Sequence, residues 1–187
     1  MNTRWMPLAL VAVSLFPFAA QAQQALIPAQ SEVAFTSRQM GVPVEGKFKT
    51  FSAQVAFDPT KLATSKIAFS VDTGSADISR EANAELPKAT WFNVAAFPKA
   101  TFASSGIKRL DANKFEVTGK LSIKGVISDV VVPVTLAQNG ATTTATGAFP
   151  IKRLTFRIGE KEWADTSMVA DEVQVKFKIA LTGVPKL

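Results

Sequence analysis

The side chains of this sequence that could carry out acid–base or covalent chemistry are few. Glu160, Glu162 and Asp165 fall close together in "GEKEWAD", and a pair of carboxylates at the right separation can divide the roles of acid and base, as in glycoside hydrolysis. A short run so rich in charge reads more simply as a solvated loop. Ser105 and Lys108 have the S-x-x-K spacing of serine acyl-enzymes, yet they sit in a strand pattern, and neither an S-D-N nor a K-T-G partner occurs in the chain. The sequence contains no His, no Cys and no Tyr. That removes the Ser-His-Asp arrangement, cysteine nucleophiles, histidine bases and ordinary zinc, copper or haem ligation together. Neither a phosphate-cradling glycine loop nor an Asp-rich calcium loop is present. The expectation is a protein that is not an enzyme, with no catalytic residues, no metal and no cofactor.

What remains abundant is apolar surface. Fourteen Phe and three Trp accompany the absence of Tyr, so the large rings come without the hydroxyl that would need a hydrogen-bond partner when buried. "GKFKTF" sets Phe48 and Phe51 between Lys47 and Lys49, an order that could stack nucleic-acid bases. With 21 basic against 15 acidic side chains in the whole chain, core phenylalanines between surface lysines are the simpler reading, and no nucleic-acid partner is expected.

The elements that must position these side chains are strands. In "DEVQVKFKIALTG", Val173, Val175, Phe177, Ile179 and Leu181 alternate with Gln174, Lys176, Lys178 and Ala180, which in an extended chain puts five apolar side chains on one face. The same design recurs at Ile67, Phe69 and Val71, and at Val130, Val132, Val134 and Leu136. Turn signals at Asp58-Pro59, Gly106, Asn113, Gly125 and Asn139-Gly140 divide the chain. They give strands over 31–40, 43–51, 52–58, 65–76, 99–110, 114–124, 126–138 and 141–150, with Val169 to Thr182 closing the sheet and 151–158 adding a further piece. One helical stretch interrupts them, with Ser79 capping Arg80 to Leu86 and a second short turn between Pro87 and Pro98 carrying Trp91 and Phe92.

Antiparallel strands with one wet face solve their edge problem by closing into a barrel or stacking as a sandwich. The expected fold is all-β, an antiparallel eight-stranded barrel with one short helical insertion. Such a barrel either fills its interior with side chains or holds one small ligand. Single lysines on the outer face, Lys120, Lys124, Lys176 and Lys178, keep it soluble and discourage edge pairing.

The first residues, "MNTRWMPLALVAVSLFPFAAQA", combine Arg4, an apolar run from Met6 to Phe18 and the small-x-small sequence Ala20-Gln21-Ala22. This is the pattern of a signal peptide cleaved after Ala22. Residues 1–22 are therefore assigned to export and 23–187 to a single periplasmic domain, which carries 20 basic and 15 acidic side chains, a net charge of +5. Without cysteine, no disulfide braces the fold and no lipid-modified cysteine tethers it.

The order of motifs resembles a known family. "SEVAFTSRQMGVPVEGKFKTFSAQVAFDP", then "WFNVAAFPKATFASSGIK", then "VTGKLSIKGV", and finally "IKRLTFRIG" ahead of the closing strand are similar to the YceI-like family of exported lipid-binding proteins, over about Ile27 to Leu181. The resemblance implies an extended lipocalin-like barrel whose bore holds a long polyisoprenoid or quinone-like lipid, with no catalytic residues to transfer. Two positions depart from the pattern of many members: Gln39 stands where a histidine precedes the glycine, and Ala82-Asn83 where an Arg-Asp pair is common. On this reading Phe35, Phe48, Phe69, Phe102, Leu121, Val132, Val134, Val175, Phe177 and Ile179 line the bore, and Trp91 and Phe92 sit at its mouth, pointing different ways. The expected partners are a long-chain apolar lipid and, transiently, a membrane surface, with the protein a monomer or homodimer. The competing reading is a dry-cored structural or stress-protective protein, its bore filled by its own phenylalanines, acting through its outer surface.

Overall fold

The alternation read from the sequence becomes a single curled antiparallel sheet in the computed structural model, which describes residues 24–187. The leader assigned to residues 1–22 lies outside the described residues. The strands are β1 (Ala25–Leu26), β2 (Glu32–Gln39), β3 (Val42–Phe48), β4 (Phe51–Ala56), β5 (Lys66–Asp72), β6 (Ala76–Asp77), β7 (Lys99–Arg109), β8 (Lys114–Ile123), β9 (Val126–Asn139), β10 (Thr142–Lys152) and β11 (Glu172–Thr182). A short helix, α1 (Arg80–Glu85), stands between β6 and β7.

These eleven segments form eight staves, with β1 extending β2 along the same edge of β11. β3 and β4 are halves of one stave bent at Lys49-Thr50, and β5 and β6 are halves of its neighbour, bent at Thr73–Ser75. β4 pairs with β5 and β3 with β6. At the corner the Asp72 amide donates to the Thr50 carbonyl at 3.0 Å, and the Lys49 amide to that of Ser75 at 3.1 Å. Since β3 also pairs with β2 and β5 with β7, the sheet closes. The sequence reading separates 43–51 from 52–58 and runs 65–76 together because alternation alone does not distinguish a bend inside a stave from a turn between two.

Inside and outside follow the period of two. β8 turns Phe115, Val117, Gly119, Leu121 and Ile123 inward, each buried or nearly so, and alternates them with wetter residues. Two expectations change. No strand continues through 151–158: after Lys152 the chain winds into a 3-10 turn, Arg153–Phe156, since Arg153 is drawn inward by hydrogen bonds described below. Val169 makes only an isolated bridge to Gln39, and the last strand starts at Glu172. The helix begins as read, the Ser79 hydroxyl accepting the Ala82 amide at 3.2 Å, and Pro87 follows its C-cap Leu86.

Candidate functional site

The barrel is hollow although its wall is crowded with phenylalanine. Three strand glycines account for much of this. Gly46 is the cross-strand partner of Phe35, and Gly147 of Phe177; Gly119 lies beside Phe102. A Cβ built on any of the three would penetrate the facing phenyl ring. Each ring therefore lies down over the bare backbone of its neighbour, covering the wall instead of filling the lumen.

The space left is a bore of two chambers joined at a waist of Val33, Val71, Ala100, Leu121, Phe149 and Val175, which line both. The inner chamber, about 200 Å³, is walled almost wholly by apolar side chains, among them Phe69, Phe102, Val132, Val134, Phe177 and Ile179. Phe57 and Phe115, packed edge to face with centroids 5.4 Å apart, line its far end together with Val184. Gln24 fastens that end, accepting the Phe57 amide and donating to its carbonyl. The outer chamber, about 450 Å³, is lined by Phe35, Phe48, Trp91 and Phe92 together with polar residues near its opening, Ser37, Gln39, Ser79, Glu81 and Glu85. The eleven residues of β11, at about 3.3 Å each, give a stave of roughly 36 Å, so the chambers stack along a path suited to an extended chain.

The mouth is built differently from the staves. One side is α1 and the turn after it. Asn83 clamps the helix down: its Oδ1 accepts the Ile78 amide and its Nδ2 donates to Asp77, both at 2.8 Å. Lys49 meets the same carboxylate at 3.0 Å. These contacts, the lysine first and the asparagine next, hold the Asp77 pKa below its ordinary value. The other side is the strap 153–171, gathered around Arg153, which is 2% exposed. Its Nε donates to the Ala170 carbonyl, Nη1 to those of Ile158 and Gly159, and Nη2 to those of Trp163 and Val169, all at 2.7–3.0 Å. Burial lowers the Arg153 pKa, and the nearby Asp171 partly opposes this. The strap bonds onward to the helix side through the Thr90 carbonyl and to the β2–β3 hairpin through Met40 and Arg38. Trp163 brings its ring to 5.5 Å from that of Trp91. The Trp91 indole N–H is buried there without a hydrogen-bond partner.

A profile of the YceI-like domain matches residues 25–181. The chain belongs to this family. Among solved structures, Burkholderia cenocepacia BcnA is 49% identical and superposes with a TM-score of 0.80, covering 83% of this chain and 98% of that one. A Saccharophagus degradans domain described as polyisoprenoid binding, 14% identical over 86% of this chain and 98% of its own, gives a TM-score of 0.70 and so shares the fold. An Azotobacter vinelandii protein called UPF0312 is 34% identical over 96 residues, 51% of this chain and 50% of its own; the chain spans about half the length of the curated relatives it matches.

On this YceI-like barrel, Phe69, Phe102, Val132, Val134, Phe177 and Ile179 face the inner chamber, Phe35 and Phe48 the outer one, and Leu121 and Val175 the waist. Trp91 and Phe92 both line the outer chamber, the first against Trp163 and the second edge-on to Phe48. The sequence reading misplaces Lys124. It is buried at the β8–β9 turn, not exposed on a strand, with Nζ donating to the Arg157 carbonyl at 2.6 Å and to Glu160 at 2.9 Å. "GEKEWAD" is accordingly part of the roof and not simply a solvated loop: Glu160 answers Lys124, and Trp163 faces the chamber. Arg153 escapes a reading based on periodicity because its partners are backbone carbonyls, which no complementary side chain marks in the sequence.

Proposed function

We propose that this protein binds, and stores or transports, one long-chain polyisoprenoid or quinone-like lipid, its chain in the bore and its head in the outer chamber. The observation that carries the reading is a pair of adjacent, unfilled chambers, the inner of which offers almost no polar surface, so water gains little there and a hydrocarbon chain loses nothing by entering. Burying on the order of forty chain carbons at about 0.8 kcal/mol each is worth roughly 30 kcal/mol before ordering and association costs. The dry-cored alternative needs the phenylalanines to fill the lumen, and the glycines beneath three of them draw the rings to the wall. The reading is non-enzymatic: Glu160 is engaged by Lys124, and Asp165 by the hydroxyl and amide of Ser167.

The leader pattern supports export to the periplasm, where a carrier exchanges its lipid at a membrane surface. Met40, Val42 and Met168 are 72%, 63% and 48% exposed, and Met40 and Met168 also line the outer chamber. They form an apolar rim across which a chain passes between bilayer and bore. The test is mass spectrometry of protein purified gently from its own exported compartment, native and then after organic extraction. One bound mass per chain that extracts as a prenyl lipid is expected, and a clean apo mass under conditions that retain tight lipid complexes would overturn the reading. Sequencing the mature amino terminus checks export, with Gln23 expected first.

A further inference from the structure

We infer that a long chain passes from the outer chamber to the inner one by parting the barrel wall along a seam between β9 and β10, with Phe149 as the gate residue at the waist. The inference rests on the lipid-binding reading above.

β9 makes ten ladder pairs with β8, from Ile123↔Val126 to Lys114↔Thr135, and β10 makes eleven with β11, from Thr142 to Lys152. With each other they make five, and the last of these is Thr135↔Thr146. Beyond it both strands run on, β9 back to Val126 and β10 forward to Lys152, with no further pair between them. The sequence supplies the reason. In the register of Thr135↔Thr146, the next residues to exchange backbone hydrogen bonds would be Pro133 with Ala148, and then Val131 with Pro150. Each of those pairs contains a proline, which has no N–H to give. Both prolines are exposed, so neither serves to fill the core.

The seam begins at the level where a chain must pass. On its laddered side, Val134, Leu136 and Ala145 line the inner chamber alone, and on its open side Ile151 lines only the outer one. Between them stands Phe149, buried, facing both chambers and the one aromatic side chain of the waist. The strands still touch just before it, since a Cβ on Gly147 would strike the Pro133 carbonyl. Behind the seam, Phe156 belongs to the same buried cluster as Phe149, with Val126 and Val130 packed against it. At the far end Lys124, in the β8–β9 turn, reaches across to the Arg157 carbonyl and Glu160 in the strap that continues β10. This stretch of wall is thus held by a ladder below, a lysine clasp above and apolar contacts between. Parting two laddered staves strips paired backbone donors, whereas parting the seam breaks no ladder.

The experiment follows loading of lipid-free protein, from Gln23 onward, by native mass spectrometry at successive times after mixing in mild detergent with solanesol, a long prenyl alcohol, or farnesol, a short one. The double variant Pro133→Val, Pro150→Val restores both missing donors and leaves the interior untouched. Its solanesol loading is expected to slow about tenfold, the barrier of roughly one net backbone hydrogen bond, with farnesol loading unchanged within about twofold. Phe149→Val, which trims the gate residue without adding charge, is expected to load solanesol several times faster, and it decides the question if the proline variant fails to fold. Solanesol loading at the parent's rate in either folded variant, or equal slowing of both alcohols in the proline variant, would overturn the gate and leave the lipid bore standing. Failure of the parent to take up solanesol would overturn the lipid-binding reading itself.

Discussion

The inner and outer halves of the bore use similar walls and opposite kinds of closure. Below the waist, every stave contributes interchangeable apolar side chains, and no single one holds the chamber together. Above it, the roof depends on a handful of polar side chains, Arg153, Lys124, Asn83 and Asp77, each gripping groups that nothing else satisfies. The lower half is therefore robust to exchange among hydrophobic residues and intolerant of charge. The upper half is the reverse: a few polar substitutions should open it while the barrel beneath survives.

The sharpest way to break that comparison is to put a charge in the lower wall. Phe177→Asp should abolish lipid retention and destabilise the fold by on the order of 3–5 kcal/mol in urea unfolding, the cost of an uncompensated buried charge. Lys178→Asp, one residue away and facing water, should stay within about 0.5 kcal/mol. Equal behaviour of the two would mean that inside and outside have been exchanged. Next in size is the roof. Arg153→Met leaves five carbonyls without their donors and should cost about 3 kcal/mol; in hydrogen exchange, protection should fall across 153–171 while β7 to β9 keep theirs. Lys124→Met, which strips the Arg157 carbonyl and frees Glu160, should cost about 1–2 kcal/mol, with the added exchange confined to the β8–β9 turn and the strap.

The smallest effect is one of pH. Asp77 has its folded pKa depressed below 3.8, so its contribution is fully present above that value and is lost as the pH falls through the lower, folded one. Asp77→Asn should thus be less stable than the parent at neutral pH, and the two unfolding curves should draw together as the solution is acidified below about pH 4.

The same division explains what could be read in advance. The staves were legible because alternation is a direct record of which way each side chain points, and β11 follows it through Val173, Val175, Phe177 and Ile179. The bends at Lys49-Thr50 and Thr73–Ser75 were not, since hydrogen bonds carry the ladder across both without disturbing the pattern. The roof was hidden for another reason. Arg153 and Lys124 take carbonyls as partners, and every residue has a carbonyl, so no complementary side chain marks where the cation will land. The hollow itself was half legible: the phenylalanines announced an apolar interior, and only the cross-strand register showed Gly46 and Gly147 beneath their rings.

The tryptophan pair gives the molecule an optical property. From Gln23 onward Trp91 and Trp163 are the only tryptophans, and tyrosine is absent. Near-ultraviolet emission from the barrel thus originates at one place, two indoles 5.5 Å apart on the outer chamber. At that separation the rings couple electronically and share one circular-dichroism signature, which reports their mutual tilt. An electron-accepting ring arriving beside them would quench the emission, while a saturated chain end would leave it bright, so the arrival of either kind of ligand at the outer chamber would be readable in the unlabelled protein.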